Sequence, residues 1–213
     1  MRTTKELLEG EISLEGRIVD ASNATLFGSI STADSRFPIV YKPIAGERPL
    51  WDFSDGNLAS REVASYLVSV AGGFNCVPTT VLREGPFGAG AVQEWIDVDP
   101  EIDPISLGQS EAEGIRNLAL FDVIVNNTDR KFGHILPLNQ DEIFGCDHGV
   151  TFHEDFKLRT VIWQFAGEEL SKIEHERLDV VETWIINDGH TQLHELLTEA
   201  EVNSTLKRIE IDR

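Results

Sequence analysis

The stretch from Ile115 to Val125 is apolar nearly all round. A helix without a polar face has to be covered on every side, so it belongs in the middle of a packed unit. Ser110 followed by Glu113 predicts a capping box at its start. The chain leaves this helix through Asn126-Asn127-Thr128-Asp129-Arg130-Lys131-Phe132-Gly133-His134, which is turn chemistry. Ile135 to Leu138 and Ile143 to Cys146 read as a short hairpin, and Asp147-His148-Gly149 closes it as an Asp-x-Gly turn. A buried helix therefore delivers one carboxylate, Asp129, and a buried strand delivers a second, Asp147.

The residues before this helix have strand periodicity. Ile12, Leu14, Gly16 and Ile18 alternate with polar neighbours, and the polar turn Asp20 to Asn23 follows. Leu26 to Ile30 returns as a hairpin partner, and Phe37 to Pro43 is a third strand ending at a proline. Asn57 to Ala71 is helical, with Ala59, Val63, Tyr66, Leu67 and Val70 as its apolar stripe, stopped by Gly72-Gly73. Val77 to Arg83 and Ala89 to Ile96 form two more strands around a Gly-Pro-Phe-Gly turn. Asp97 to Gln109, acidic and proline-containing, reads as a loop or hinge. From about Glu168 to Ile211 the spacing is helical and amphipathic. The expected class is α+β, with a β-rich lobe over 1–96 and a helical lobe over 97–213. Clefts between lobes are where ligands bind by default.

Composition narrows the function. The chain has 213 residues and a formal net charge of −19. That field opposes nucleic acid, whose phosphates have to be met by clustered Lys and Arg. No run of 18 or more apolar residues exists, so no membrane-spanning helix is expected. The N-terminal residues lack an apolar h-region, and Cys76 and Cys146 lie far apart in no metal-ligand spacing. A cytoplasmic protein with reduced thiols is the expectation. Trp51, Trp95, Trp163 and Trp184 are expected to pack in the core or between lobes.

Two carboxylates beside a hairpin suit phosphoryl transfer from ATP. One accepts or orients the substrate hydroxyl, and the other holds Mg²⁺ on the phosphates. Asp129, in the polar loop, fits the first part; Asp147, exposed at a strand end, fits the second. Either Asp alone is equally an ordinary turn residue. Lys42 ends a strand, and its ammonium suits phosphate oxygens. Glu62, on the next helix, can pair with Lys42 and aim it, though each alone is also a plain solvated charge.

Taken together, these residues resemble the atypical kinases grouped with phosphatidylinositol 3- and 4-kinases and the HipA toxin kinases. Tyr41-Lys42-Pro43, Asn127-Thr128-Asp129-Arg130-Lys131, Asp147 to His153 and Lys157 to Trp163 resemble in particular the actinobacterial PI3/PI4-kinase-like proteins of unassigned substrate. The resemblance implies a two-lobed protein-kinase-like fold, with ATP and Mg²⁺ as cofactors and a hydroxyl acceptor: protein Ser/Thr, small polyol or lipid headgroup. It implies that Lys42 binds the α- and β-phosphates, that Glu62 holds Lys42, and that Asp129 is catalytic with Asp147 on Mg²⁺. It also makes Gln93-Glu94-Trp95-Ile96 the hinge that receives adenine through its backbone, with Glu94, Trp95 and Ile96 as its binding residues.

Two positions depart from that pattern. His134 stands where such kinases often carry Asn as a second Mg²⁺ ligand. It is thus a second candidate at the metal, or a residue that orients Asp147 or a phosphate, since imidazole suits a hard cation poorly. The Asp20 to Asn23 loop is not glycine-rich. These departures keep an ATP-binding pseudokinase or regulatory module in play. A metal-dependent phosphohydrolase built on His134, Asp147, His148 and His153 is the remaining alternative. Against it, no histidine pair is read at i, i+4 spacing on a helix.

Overall fold

The computed structural model describes residues 2–19 and 23–211, so most of the expected Asp20–Asn23 turn lies outside the described residues. Five strands form one antiparallel sheet: β1 (Glu11–Arg17), β2 (Leu26–Ser31), β3 (Arg36–Pro43), β4 (Thr80–Gly85) and β5 (Gly88–Glu94), in the order β1-β2-β3-β5-β4. Alternation along β3 decides what each face does. Phe37, Ile39 and Tyr41 point to one face, where they pack with Ile30, Val81, Val92 and Leu7. Lys42 has the opposite parity. Its cross-strand partner Ala91 packs with Ala59 and Val63 of α2 (Leu58–Ala71), so Lys42 belongs to the face that α2 covers.

Leu7 comes from α1 (Thr4–Glu9), a helix that the sequence reading did not anticipate. Its signal is a capping box: the Thr3 hydroxyl accepts from the Glu6 amide, and the Glu6 carboxylate accepts from the Thr3 amide. Arg83 fixes its far end by donating to the carbonyls of Leu7 (2.6 Å) and Gly10 (2.8 Å).

The helical part comprises α3 (Pro104–Gly108), α4 (Glu113–Ile124), α5 (Lys172–Ile186), α6 (His190–His194) and α7 (Glu199–Ile211). A short hairpin, β6 (Ile135–Pro137) with β7 (Ile143–Gly145), stands after α4. The largest core gathers Ile115, Leu118, Phe121 and Ile124 of α4 with Leu178, Val181 and Ile185 of α5 and Val202 and Ile209 of α7. Ala64 and Val68 of α2 enter the same core. α2 is thus covered on two sides, by the sheet and by the helices.

Three local expectations need correction. The Asp97–Gln109 stretch contains α3: Asp103 caps it by accepting from the Ile105 and Ser106 amides, and Pro104 takes the first helical position. Asp-Pro is a helix-start signal as well as a loop signal. Second, the Ser110–Glu113 box does not form. α4 begins after Ala112 with no side-chain cap, because the Ser110 hydroxyl donates to Leu107 O at 2.7 Å and closes α3 instead. Boxes that do form in the helical part are Ser171–Glu174, which opens α5, and Thr198–Glu201, before α7. Third, Val70 drops out of the α2 stripe and is exposed. Trp51, Trp95 and Trp163 are likewise exposed, Trp51 at 90%, and only Trp184 packs on the large core.

α1 is predicted to be an integral part of the sheet's core. Leu7→Ala should lower the unfolding free energy by about 3 kcal/mol, the usual cost of emptying a fully buried leucine site. Urea melts would measure it. A loss under about 1 kcal/mol would place Leu7 among superficial contacts.

Candidate active site

Lys42, Glu62 and Asp147 meet. Parity puts the Lys42 ammonium on the α2 face, and Glu62, almost fully buried, faces it from one turn into α2. Lys42 Nζ donates to Glu62 Oε1 in a short contact and to Asp147 Oδ1 at 3.1 Å. The second Glu62 oxygen, Oε2, accepts the His148 amide at 3.1 Å. Glu62 therefore holds both the ammonium and the Asp-x-Gly backbone. Asp147 adopts a left-handed φ of +60°, which turns its carboxylate back toward Lys42. Asp tolerates that conformation better than most residues.

The charges reinforce one another. Burial opposes the Lys42 charge, but Asp147 and Glu62 outweigh it and hold the ammonium's pKa above its ordinary value. Lys42 in turn holds the Asp147 carboxyl well below the usual carboxylate range. Asp147 is still half exposed, at 52% of its side chain. His134 Nε2 lies 3.5 Å from Asp147 Oδ2. Burial lowers the pKa of His134, and Asp147 only partly opposes this, so the imidazole is neutral at pH 7.

Asp129 reaches the same region from the loop after α4. Its side chain is 45% exposed, and Lys131 Nζ donates to its Oδ2 at 2.7 Å. The Asp129 amide donates to Asn127 Oδ1 at 3.0 Å, an Asx turn that aims the side chain outward. The loop is held as a ladder. Arg159 N donates to Asn127 O and Arg130 N donates to Arg159 O, both at 2.9 Å. Lys157 does not face Asp129; its ammonium sits by His153, Asp52 and the Trp51 ring.

Sequence reasoning missed the buried polar cluster beneath the two loops. Asp122 and Arg130 form a fully buried ion pair: Arg130 Nε donates to Asp122 Oδ2 and Nη2 to Oδ1, each at 2.8 Å. Asn127 Nδ2 also donates to Asp122 Oδ1 at 2.9 Å. The one available signal was Asp122 itself, the only charge in the apolar second half of α4, after Arg116. Buried charges are paired, so it had to have a partner.

The presumed adenine segment leaves β5. The Glu94 amide donates to Thr79 O at 2.9 Å and the Trp95 amide to Pro38 O at 3.2 Å, so both are engaged within the sheet. Ile96 is buried, and among the described residues no carbonyl engages its amide. Trp95 stands edge-on to Phe27 of β2, with centroids 5.0 Å apart. A recess of about 50 Å³ lies at the Lys42, Glu62 and Asp147 cluster, lined also by Asn23 and Leu58, and does not include Glu94, Trp95 or Ile96 in its lining.

The four residues of the hydrolase alternative do not converge. His148 is buried against Arg130, and His153 pairs with Lys157. A histidine pair at i, i+4 spacing does exist, contrary to the sequence reading: His190 and His194 on α6, with ring centroids 4.4 Å apart, on an element the reading had not separated. Among the described residues, no three His, Cys, Asp or Glu side chains are grouped to hold a metal ion. No helix among them is long and apolar enough to cross a membrane.

An antiparallel sheet, a covering helix bearing Glu62 and a helical part bearing two loop carboxylates make this a mixed α+β fold of kinase type. The structure matches the Helicobacter pylori proinflammatory kinase CtkA with a TM-score of 0.55 at 12% identity, over 97% of this chain and 92% of that one. It matches the Golgi casein kinase with a TM-score of 0.53 at 12% identity, over 98% and 72%. No family model matches the sequence. The chain belongs to the family of Mycobacterium tuberculosis protein Rv2133c, with 39% identity over 199 residues, covering 77% of this chain and 72% of that protein.

Cys146, next to Asp147, provides a check on this packing. Burial pushes the Cys146 thiol up to about 12, with Asp147 adding to the effect, and burial alone does most of the same for Cys76. A raised pKa keeps the thiol protonated, and the thiolate is the reactive species. Native protein at pH 8 should therefore leave the buried Cys76 unlabelled by a disulfide reagent and label the partly buried Cys146 only slowly, and denatured protein should release both. Rapid native labelling at Cys146 would mean that the strand before Asp147 is open to water.

Proposed function

We propose that this chain moves the γ-phosphoryl group of ATP to a hydroxyl acceptor in a Mg²⁺-dependent reaction. The observation that carries the proposal is the single ammonium of Lys42 shared between Glu62 on α2 and Asp147 after the hairpin. An ammonium oriented from both sides has its third proton free for a phosphate oxygen. In this reading residues 1–96 form the nucleotide lobe and 97–213 the catalytic lobe. Lys42 binds the α- and β-phosphates, and Glu62 fixes its direction. The Ile96 amide and the carbonyls of Glu94 and Trp95 receive adenine. Asp129 accepts or orients the acceptor hydroxyl, with Lys131 leaving its Oδ2 as the acceptor arrives.

The donor set fits Mg²⁺ in part. Asp147 is half exposed and its Oδ2 carries no hydrogen bond among the described residues, as suits a hard cation. His134 fits it less well and serves better to orient Asp147. When bound, Mg²⁺ supplies charge neutralisation on the phosphates. The fold shared with two kinases supports a phosphotransferase. A protein Ser/Thr, a polyol and a lipid headgroup remain the acceptor classes.

A second reading is an ATP-binding regulatory module without turnover. The Lys131–Asp129 ion pair favours it, because the proposed catalytic oxygen is already occupied.

Labelled ATP with Mg²⁺ separates the two. The wild type should transfer label to itself or to an acceptor in cell extract. Asp129→Asn should cut transfer by about 10²–10⁴-fold, the range for a lost general base, while nucleotide affinity changes little. Asp147→Ala should lose affinity in Mg²⁺ and not in EDTA. Lys42→Met, Glu62→Gln and the double variant should be similarly impaired, because each removes the same oriented ammonium. Mg²⁺-dependent ATP binding with no transfer under any condition would select the regulatory reading. No ATP binding at all would defeat both.

A further inference from the structure

Asp129 and Asp147 sit on separate loops, and chemistry that uses both needs their separation held to a fraction of an ångström. Some bonds already join the two loops: Thr128 donates to Val150 O from its amide (3.1 Å) and its hydroxyl (2.9 Å), and the Cys146 amide donates to His134 O at 3.0 Å. The Arg130 side chain adds a buried link that reaches both neighbours of Asp147. Arg130 Nη1 donates to Cys146 O at 2.9 Å, the carbonyl directly before Asp147, and to His134 O at 3.3 Å. Its Nη2 lies 2.7 Å from His148 Nε2, the residue directly after Asp147. Its own backbone follows Asp129. The guanidinium thus spans the base of the Asp147 turn, brackets it on both sides, and is covalently joined to Asp129.

We infer that Arg130, clamped by Asp122, is a positioning residue that holds the Asp147 turn at its distance from Asp129. This rests on the proposed phosphotransfer reading and goes beyond it. Three features support it independently. Asp122 holds Arg130 bidentately from α4, whose Ile115, Leu118, Phe121 and Ile124 lie in the large core, so the guanidinium is referenced to the core and not to a loop. The planar fork is used in full, since Nε, Nη1 and Nη2 each have a partner, which an ammonium cannot reproduce. Gly145 leaves room for it: a Cβ there would meet Arg130 Nη2 at 2.9 Å and Nη1 at 3.1 Å. The same guanidinium fixes the His148 tautomer. Facing an Arg donor, Nε2 has to be the acceptor, and the proton sits on Nδ1. His148, so oriented, presents its amide to Glu62. A continuous chain of contacts then runs from Asp122 through Arg130, His148 and Glu62 to Lys42.

The test compares wild type with Arg130→Lys, which keeps the charge beside Asp122 and loses the fork. ATP affinity is measured by calorimetry in MgCl₂ and again in EDTA, alongside kcat and KM for transfer. Thermal melting confirms that the variant is folded. The inference expects the Mg²⁺-dependent gain in affinity to shrink by about tenfold or more, and kcat to fall by about 10²-fold, as for a misplaced catalytic group. ATP affinity in EDTA should stay within about threefold of wild type, because Lys42 and the adenine segment are untouched. A general loss of structure would instead weaken both affinities alike. If Arg130→Lys does not fold, Gly145→Ala decides, since its methyl group would press on the guanidinium (2.9 Å) and on Leu118 Cδ1 (2.8 Å) without removing a charge, with Leu118→Ala as the control for the core contact. A folded Arg130→Lys or Gly145→Ala variant with wild-type Mg²⁺ gain and kcat overturns the inference and leaves the phosphotransfer reading standing. Wild type without Mg²⁺-dependent ATP binding overturns both.

Discussion

A largely enclosed lysine ammonium shared by two carboxylates is the interaction on which the site depends. Removing Lys42 and Glu62 from water costs several kcal/mol per ion. Their attraction at close range, about 4 kcal/mol at an effective dielectric near 20, does not clearly exceed that. The balance is met by extra partners: Asp147 for the ammonium and the His148 amide for Glu62. A pair in this position adds little net stability against an apolar replacement, yet breaking it by removing one partner costs about 3–5 kcal/mol. The pair is therefore better understood as fixing geometry. It ties β3, α2 and the Asp-x-Gly turn to one point, three segments far apart in sequence.

The backbone near that point is strained, and the strain has visible holders. Asn126, Asp147 and Phe152 all adopt left-handed φ values, of 53°, 60° and 64°. Asn and Asp tolerate this region; a phenylalanine there is a true outlier, at a cost on the order of 1–3 kcal/mol. Phe152 is held by complete burial in the large core and by its amide, which donates to Val125 O at 2.6 Å. The Asn126 side chain donates to His153 O and Asp155 O and accepts from the Lys157 amide. Asn126 and Phe152 flank the segment that carries Asp129 and the strained Asp147, and the core absorbs their cost.

Much of the site was legible because its signals are local. A strand ending at Pro43 placed Lys42, helical spacing placed Glu62 on the next helix, and the polar turns after an apolar helix and strand located Asp129 and Asp147. The order of strands, the α2 helix and the short hairpin were readable for the same reason. What escaped was non-local. Nothing near Asp122 in sequence says that Arg130 returns to it. Capping boxes share one spacing, and only tertiary packing decides that Thr3–Glu6 and Ser171–Glu174 form while Ser110 turns back to α3. The tryptophans failed through an average: large apolar rings are usually buried, but Trp51 lies on a loop tip where its ring stacks under the Lys157 ammonium at 5.6 Å.

The double burial of α2 bears on how the site keeps its order. A helix that packs only on a sheet can rotate or slide, and Glu62 would then leave Lys42. Here Ala59 and Val63 hold the sheet side while Ala64 and Val68 enter the helical core. Arg61, also buried, donates from Nε to Glu201 of α7 at 2.8 Å. The start of the helix is capped twice, by Asn57 on the Ser60 amide and by the Glu47 carboxylate on the Leu58 and Ala59 amides. Swinging Glu62 away would separate a buried Arg–Glu pair, open two cores and uncap a helix at once. The direction of the Lys42 ammonium is thus set by the packing of the whole molecule. The exposed groups left to respond to a ligand are the carboxylates of Asp129 and Asp147 and the Lys131 side chain between the loops and water.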